Sequence, residues 1–175
     1  MKRGYNLLGL KIIIYSFIFL TSSAIGILIS KKYDDRVKEL KEFKNALNMF
    51  KTKIKFTYEP IPEIFREISE SIDTKPGLVF KFASSNMKLL TAGDAWNRAV
   101  DTNILNINEE DKSVLKNLSK LLGKTDLDGQ VSQIELTSLF LDEQIKKAEK
   151  EKTKNEKMYR TLGMIIGLAI VIILM

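Results

Sequence analysis

The chain of 175 residues contains no cysteine and no histidine. Their absence removes disulfides, thiol nucleophiles, imidazole bases and the usual zinc ligands together, while leaving the redox compartment undetermined. Proline is scarce. Pro60, Pro62 and Pro76 are the only three, so nothing interrupts a helical pattern through the last third of the chain. No segment alternates apolar and polar residues at period two over a useful length, which leaves an all-helical domain. There is no Gly-x-x-x-x-Gly-Lys-Ser/Thr loop, and no glycine-rich turn follows a strand, so the common phosphate cradles are missing. Carboxylates remain, but Glu63 with Glu67 and Glu109 with Glu110 are neighbours on exposed helix faces, where such groups are ordinarily solvated. Enzymatic activity has no residue to rest on, and no cofactor is implied.

A net charge of +6 invites a nucleic-acid reading, and the distribution argues against it. All 22 acids lie between Asp34 and Glu156, and 25 of the 28 Lys and Arg lie between Lys31 and Arg160. The middle is therefore only +3 and interleaved, a pattern of solubility rather than a phosphate track. The basic excess sits beside two apolar runs. Hydropathy divides the chain accordingly into an N-terminal membrane helix over 1–30, a helical domain over 31–157 and a C-terminal membrane helix over 158–175.

The first apolar run, Ile12 to Ile29, is broken only by Ser16 and Thr21-Ser22-Ser23. Ser22-Ser23-Ala24 would suit the end of a cleavable signal peptide, but the run continues through Ile25-Gly-Ile-Leu-Ile29, which favours an uncleaved helix just long enough to span. The last run, Leu162 to Met175, has 14 residues, about 21 Å of helix against a hydrocarbon core of about 30 Å. Met158 to Thr161 must enter as well, with Arg160 reaching back to the interface. Within this run Gly163-Met-Ile-Ile-Gly167 has the small-xxx-small spacing that lets two membrane helices approach closely. Thirteen basic residues flank the middle domain near the membrane (Lys31, Lys32, Arg36, Lys38, Lys41 and Lys44, then Lys146, Lys147, Lys150, Lys152, Lys154, Lys157 and Arg160), against Lys2, Arg3 and Lys11 in the tail. Positive-inside logic places the middle domain in the cytoplasm.

The middle reads as a helical bundle. Val37, Leu40, Phe43, Leu47, Phe50 and Ile54 recur at spacings of three or four, as a coiled-coil seam for a partner or, more plainly, as the core side of a bundle helix. Tyr58-Glu-Pro-Ile-Pro62 breaks the pattern, and Ile61, Ile64, Phe65, Ile68 and Ile72 line the next helix. Lys75-Pro76-Gly77 reads as a turn before a third helix over Leu78 to Leu90. Gly93-Asp94 stops it and caps a short fourth that carries Trp96, the single tryptophan and a candidate core anchor. Asn108 is an N-cap with acids in the first turn after it, and Gly123 closes that segment. The last helix carries Val131, Ile134, Leu141, Ile145 and Ala148 on one face, widened by Leu136, Leu139 and Phe140, then the charged stalk Glu149 to Lys157.

One loop fits part of a calcium pattern. Asp126, Asp128, Gly129 and Glu135 stand at the third, fifth, sixth and twelfth places of an EF-hand counted from Lys124. A cation at the first place, where a carboxylate should bind, argues against metal. The alternative is that Asp126 or Asp128 caps the last helix, with Gly129 permitting a tight approach.

Several of these stretches resemble the stage III sporulation protein AB family. They are Glu151-Lys-Thr-Lys-Asn-Glu-Lys-Met-Tyr-Arg-Thr-Leu-Gly163 running into the terminal apolar helix, the loop Leu122-Gly-Lys-Thr-Asp-Leu-Asp-Gly-Gln130, the Ala95-Trp96 pair and Pro60-Ile61-Pro62. The matching positions include Gly123, Thr125, Asp126, Gly129 and Gln130 in the loop, and Asn155, Glu156, Lys157, Met158 and Gly163 at the helix–membrane junction. The family is similar to the cytoplasmic domain of type II secretion and type IV pilus platform proteins. The resemblance implies a mother-cell membrane component of the channel complex linking mother cell and forespore, its central domain cytoplasmic beside a secretion-type ATPase. Other channel-complex membrane proteins, and a second copy of the chain, are the remaining expected partners. Two readings compete with it: a membrane-tethered calcium or ligand sensor, and a secreted helical domain released from a signal peptide.

Overall fold

The computed structural model of the chain describes residues 2–57 and 59–174, with side chains from Lys11 onward. The Lys2 and Arg3 side chains of the basic tail, Tyr58 at the first helix break and Met175 at the chain end lie outside the described residues. The fold is all-α. Among the described residues the order is α1 (Lys2–Phe56), α2 (Ile61–Ser71), α3 (Lys75–Asn86), α4 (Ala92–Thr102), α5 (Glu109–Lys116), a 3-10 turn (Asn117–Lys120) and α6 (Leu127–Leu174), with no strand. The chain divides into two compact units, Met1–Asp35 with Glu149–Met175 and Arg36–Ala148. The apolar run and the amphipathic stretch after it are one helix, α1, and the charged stalk lies inside α6.

In the unit of residues 36–148, the residues of α1 spaced by three and four are core. Val37, Leu40, Phe43, Leu47, Phe50 and Ile54 are all buried, together with Ala46. Against them pack Ile64, Phe65 and Ile68 of α2, Val79 and Phe80 of α3, and Trp96, Ala99 and Val100 of α4. Four aromatic rings knit this centre: Phe65 lies 5.0 Å from Phe50, 4.9 Å from Phe80 and 5.6 Å from Trp96, and Phe80 lies 5.0 Å from Trp96, each pair edge-on or tilted. Such ring contacts add about 0.5–1.5 kcal/mol per pair beyond burial. The Trp96 indole Nε1 donates to the Leu115 carbonyl at 2.7 Å, so the one polar atom of this buried ring is satisfied in the last turn of α5.

The helix starts differ from the sequence pattern at two places. Lys75-Pro76-Gly77 is the first turn of α3, not a turn before it, with Thr74 as N-cap. The first turn of a helix makes no demand on an N–H that proline lacks, so Pro76 sits there without cost. The cap of α4 is Thr91, whose Oγ1 accepts from the Asp94 N–H at 3.2 Å, and Gly93-Asp94 lies inside the first turn. At α5 the Asn108 cap is realised in full as a capping box, with Asn108 accepting from Asp111 N and Asp111 accepting from Asn108 N.

The inward stripe of α6 is Ile134, Thr137, Leu141, Ile145 and Ala148. Leu136, Leu139 and Phe140, expected to widen the packed face, are instead exposed. Both flanks of the stripe are polar. Lys51 with Glu135 (3.5 Å) and Lys44 with Asp142 (2.5 Å) join α6 to α1. Gln133 donates to the Asn117 carbonyl (2.8 Å), and Gln144 and Lys147 both reach Glu110 of α5 (3.0 and 2.6 Å).

A buried ion pair crosses from α1 to α5. Arg36 Nε donates to Asp111 Oδ2 at 2.7 Å and Nη2 to Oδ1 at 3.0 Å, and the Asp111 side chain is completely buried. Removing one partner strands a charge in the interior, at a cost of about 3–5 kcal/mol, whereas apolar replacement of both is much cheaper. Arg36→Ala and Asp111→Ala should each destabilise the full chain in detergent by that amount, and Arg36→Met with Asp111→Leu by less than either. Chemical denaturation followed by Trp96 fluorescence measures this; single variants as stable as the parent would refute it.

The surface pair Glu110–Lys147 gives the fold a pH signature. The hydrogen bond from Lys147, then that from Gln144, holds the Glu110 carboxyl below its ordinary range, and Glu110 holds the Lys147 ammonium above its own. The pair's contribution is therefore present between the two ordinary values. It is lost as pH falls through the lowered Glu110 value, and again as pH rises through the raised Lys147 value. The difference in denaturation midpoint between the parent and Glu110→Gln should be constant near neutrality and vanish in acid; a difference that grows in acid would reverse the assigned sign.

Candidate functional site

Two sets of residues singled out by sequence are brought together by the fold. The first is the connection from the 3-10 turn to α6. Gly123 has φ +71°, and a Cβ there would meet Ala92 Cβ at 3.2 Å, so a residue with a side chain is both strained and crowded. Asp126 precedes α6, and its Oδ1 accepts from Gly129 N at 3.0 Å and from the Thr125 hydroxyl at 3.2 Å. Gln130 closes the loop from the other side: its Oε1 accepts from Gly123 N and its Nε2 donates to the Thr125 carbonyl, both at 3.2 Å. A Cβ on Gly129 would lie 2.6 Å from Thr125 Oγ1. Gly123, Thr125, Asp126, Gly129 and Gln130 thus form one hydrogen-bonded closure that sets where α6 begins.

The same closure places the residues of the calcium pattern. Helix α6 starts at Leu127, so Asp128 and Glu135 lie in a helix and no twelve-residue loop exists to wrap a cation. Glu135 faces Lys51 at 3.5 Å. Among the described residues no group of three or more Asp or Glu side chains is placed to hold a metal ion.

The second set lies in the unit formed by residues 1–35 and 149–175, where the first part of α1 runs antiparallel to the end of α6. The contacts step along both segments in opposite directions. Asp34 accepts from Lys152 Nζ at 2.7 Å, Tyr33 stacks on Tyr159 with centroids 5.9 Å apart, the Ser22 hydroxyl donates to the Gly163 carbonyl at 2.8 Å, and the Tyr15 hydroxyl donates to the Leu174 carbonyl at 2.8 Å. Backbones touch at the glycines. A Cβ on Gly163 would fall 2.9 Å from the Ser22 carbonyl oxygen and 3.0 Å from Gly26 Cα; one on Gly26 would fall 2.6 Å from the Tyr159 carbonyl oxygen; one on Gly167 would fall 3.2 Å from Phe19 and Ser22. Gly163 and Gly167 therefore face Ser22 and Gly26. These two partners escaped the sequence reading although Ser22-x-x-x-Gly26 carries the same four-residue spacing as Gly163-x-x-x-Gly167.

At the junction, Asn155 and Glu156 are half-buried, Lys157 and Met158 are exposed, and Glu156 meets Arg160 at 3.5 Å. Outward from the glycine contact the surface is apolar: Ile12, Ile13, Phe17, Leu20, Ile25 and Leu28 on α1, and Ile165, Ile166, Leu168, Ile172 and Ile173 on α6, are exposed. Both helices are long and apolar enough to cross a membrane, and only 6% and 11% of their most apolar 18-residue windows are buried, which is the opposite of a soluble core helix.

A family model described as Stage III sporulation protein AB matches residues 11–175. The stage III sporulation protein AB of Bacillus subtilis (strain 168) is 25% identical over 170 residues, covering 95% of this chain and 99% of that protein. The fold is also similar to a solved structure of stage III sporulation protein AB (SpoIIIAB), with a TM-score of 0.62 and 20% identity over 69% of this chain and 98% of the other.

The glycine contact makes a direct prediction. Because the chain has no cysteine of its own, Tyr15→Cys with Leu174→Cys gives a clean pair for a short bismaleimide linker. Cross-linking should be efficient in the parent background and fall at least fivefold with Gly163→Ile, which forces the backbones apart. Equal yields in both backgrounds would show that the close approach is not required for pairing.

Proposed function

The chain belongs to the stage III sporulation protein AB family and has its role in sporulation, and from that premise we propose that it is a non-enzymatic integral-membrane platform of the mother cell–forespore channel complex. Both apolar helices lie in the mother-cell membrane facing the forespore, and residues 31–157 stand on the cytoplasmic side, where they dock a secretion-type ATPase. Other channel-complex proteins meet the membrane helices. The platform takes no cofactor and binds no nucleic acid.

The observation that carries this reading is the paired apolar unit. Its two helices spend their small residues, Ser22, Gly26, Gly163 and Gly167, on each other and present large apolar side chains outward. In water that surface would be untenable; in hydrocarbon it is matched. The pairing also supports an uncleaved first helix, because removal of residues before Ala24 would take away Ser22 and Phe19 and uncover the glycines of α6. The cytoplasmic placement is supported by the thirteen flanking bases.

Leu89→Cys, at a highly exposed position, tests the topology. In intact cells it should resist a membrane-impermeant maleimide and react after lysis, and a tagged full-length chain solubilised from sporulating cells should co-purify with the ATPase. Labelling of Leu89→Cys in intact cells would overturn the cytoplasmic placement and the docking role with it.

A further inference from the structure

We infer that a cleft on one flank of α6, built from Lys157, Arg160 and Thr161, seats the headgroup of an anionic phospholipid whose acyl chains run down past Met164 and Leu168. The inference rests on the proposed membrane placement of the two apolar helices and concerns only the unit of residues 1–35 and 149–175.

The cleft has a volume of about 380 Å³ and is lined by Lys152, Thr153, Glu156, Lys157, Arg160 and Thr161. Two of its donors are already taken: Lys152 Nζ donates to Asp34 at 2.7 Å, and the Thr153 hydroxyl to the Glu149 carbonyl at 2.9 Å. Thr161 differs. Of the ten threonines in the chain, the other nine donate their hydroxyls to a carbonyl or carboxylate oxygen, most of them to the carbonyl four residues earlier in a helix. Thr161, exposed at the head of the last apolar run, has no hydrogen bond among the described residues. Lys157 is likewise exposed and has no ion-pair partner among them, and the positions three and four residues away on α6 are Thr153, Lys154, Arg160 and Thr161, with no acid. Arg160 Nη1 meets Glu156 at 3.5 Å, so the one carboxylate in the lining is answered. The open groups of the cleft are an ammonium, a hydroxyl and the rest of a guanidinium, a donor set for a phosphate.

Depth and polarity select a lipid as the occupant. Gly163 packs against Ser22 and Gly26, and Lys157 lies about 9 Å along α6 from Gly163. In the antiparallel pair that is about the level of Ser30, where the apolar run Ile12 to Ile29 ends. Spacings of four, three and four put Lys157, Thr161, Met164 and Leu168 in one line on the helix, and all four are exposed. Within about three turns the line passes from ammonium and hydroxyl to thioether and isobutyl, the order of polarity in a phospholipid from phosphate to acyl chain. A free phosphate makes no use of the lower half, and a loop of an acidic protein laid there strands its backbone polar groups in hydrocarbon. Charge narrows the lipid further. With Glu156 held by Arg160, the ammonium of a zwitterionic headgroup meets no open acid, whereas Lys157 and Arg160 together exceed Glu156 by one charge, which a single anionic phosphate balances.

The experiment is native mass spectrometry of the full-length chain released from detergent micelles, with phosphatidylglycerol, phosphatidylethanolamine or glycerol phosphate added at equal concentration. The expected result is a phosphatidylglycerol adduct at least fivefold more abundant than the phosphatidylethanolamine adduct and not displaced by glycerol phosphate. Lys157→Gln should lower it at least fivefold and the isosteric Thr161→Val at least threefold. Lys150→Gln, the same change of charge about 10 Å further along α6, should alter it less than twofold. Equal adducts with both lipids, displacement by glycerol phosphate, indifference to Lys157→Gln and Thr161→Val, or an equal loss with Lys150→Gln each overturns the inference. So does a photocrosslinker at Lys157 that captures an acidic protein segment in cells and no lipid. Alkaline carbonate extraction separates the two levels: a chain that stays in the membrane pellet without the lipid preference loses the cleft alone, and a chain washed off the membrane loses the membrane placement with it.

Discussion

A carboxylate with no access to water governs the unit of residues 36–148. Asp111 is fully buried, and burial of an ionised group is tolerable only when donors surround it. Three do: Arg36 Nε, Arg36 Nη2 and the Asn108 backbone N–H. The same side chain therefore starts α5 and fixes that helix to α1. One turn further along α1, Glu39 accepts from both the backbone and side-chain nitrogens of Asn106 at 2.7 Å, tying down the segment that leads into the cap. Because each donor is specific in direction, α1, the 106–108 segment and α5 cannot shift singly. The apolar core supplies most of the driving force, and this network supplies the register.

That division explains what could be read from sequence. Features decided by neighbours in the chain were legible. The α1 periodicity from Val37 to Ile54, the Asn108 cap and the Gly123 terminus all depend on residues within a turn or two. Lys75-Pro76-Gly77 and Gly93-Asp94 were read as punctuation before a helix and lie instead in the first turns of α3 and α4, because proline and glycine look alike in a turn and at a helix start. The Arg36–Asp111 pair, 75 residues apart, leaves no local trace. Helix α6 is the instructive case. Its inward residues Ile134, Leu141, Ile145 and Ala148 were legible from periodicity, but Leu136, Leu139 and Phe140 were wrongly added to that face; buried Thr137, Gln133 and Gln144 look polar and exposed until their partners are seen.

The family-marked loop is a structural device with a local logic. Gly123 supplies the left-handed residue, Asp126 the cap, Gly129 the space for Thr125, and Gln130 the clasp between both ends. Their shared effect is to set the first residue of a 48-residue helix, and with it the direction in which each later side chain projects.

The two units use α6 differently. Counted at about 100° per residue, Ile134, Ile145 and Ala148 fall within about 40° of Leu141 in the unit of residues 36–148, and Gly163 and Gly167 lie about 40° apart in the other. The contact residues are Ile and Leu in the first and glycine in the second. In the polar half, association is driven by removing large apolar side chains from water, so large residues serve. In the proposed membrane half, hydrocarbon surrounds both helices equally and burying an isoleucine gains nothing. What remains is close backbone packing and a hydrogen bond such as Ser22 to the Gly163 carbonyl, and both require the side chain at the contact to disappear. The change from large contact residues in one unit to glycine in the other is thus what the proposed change of solvent demands.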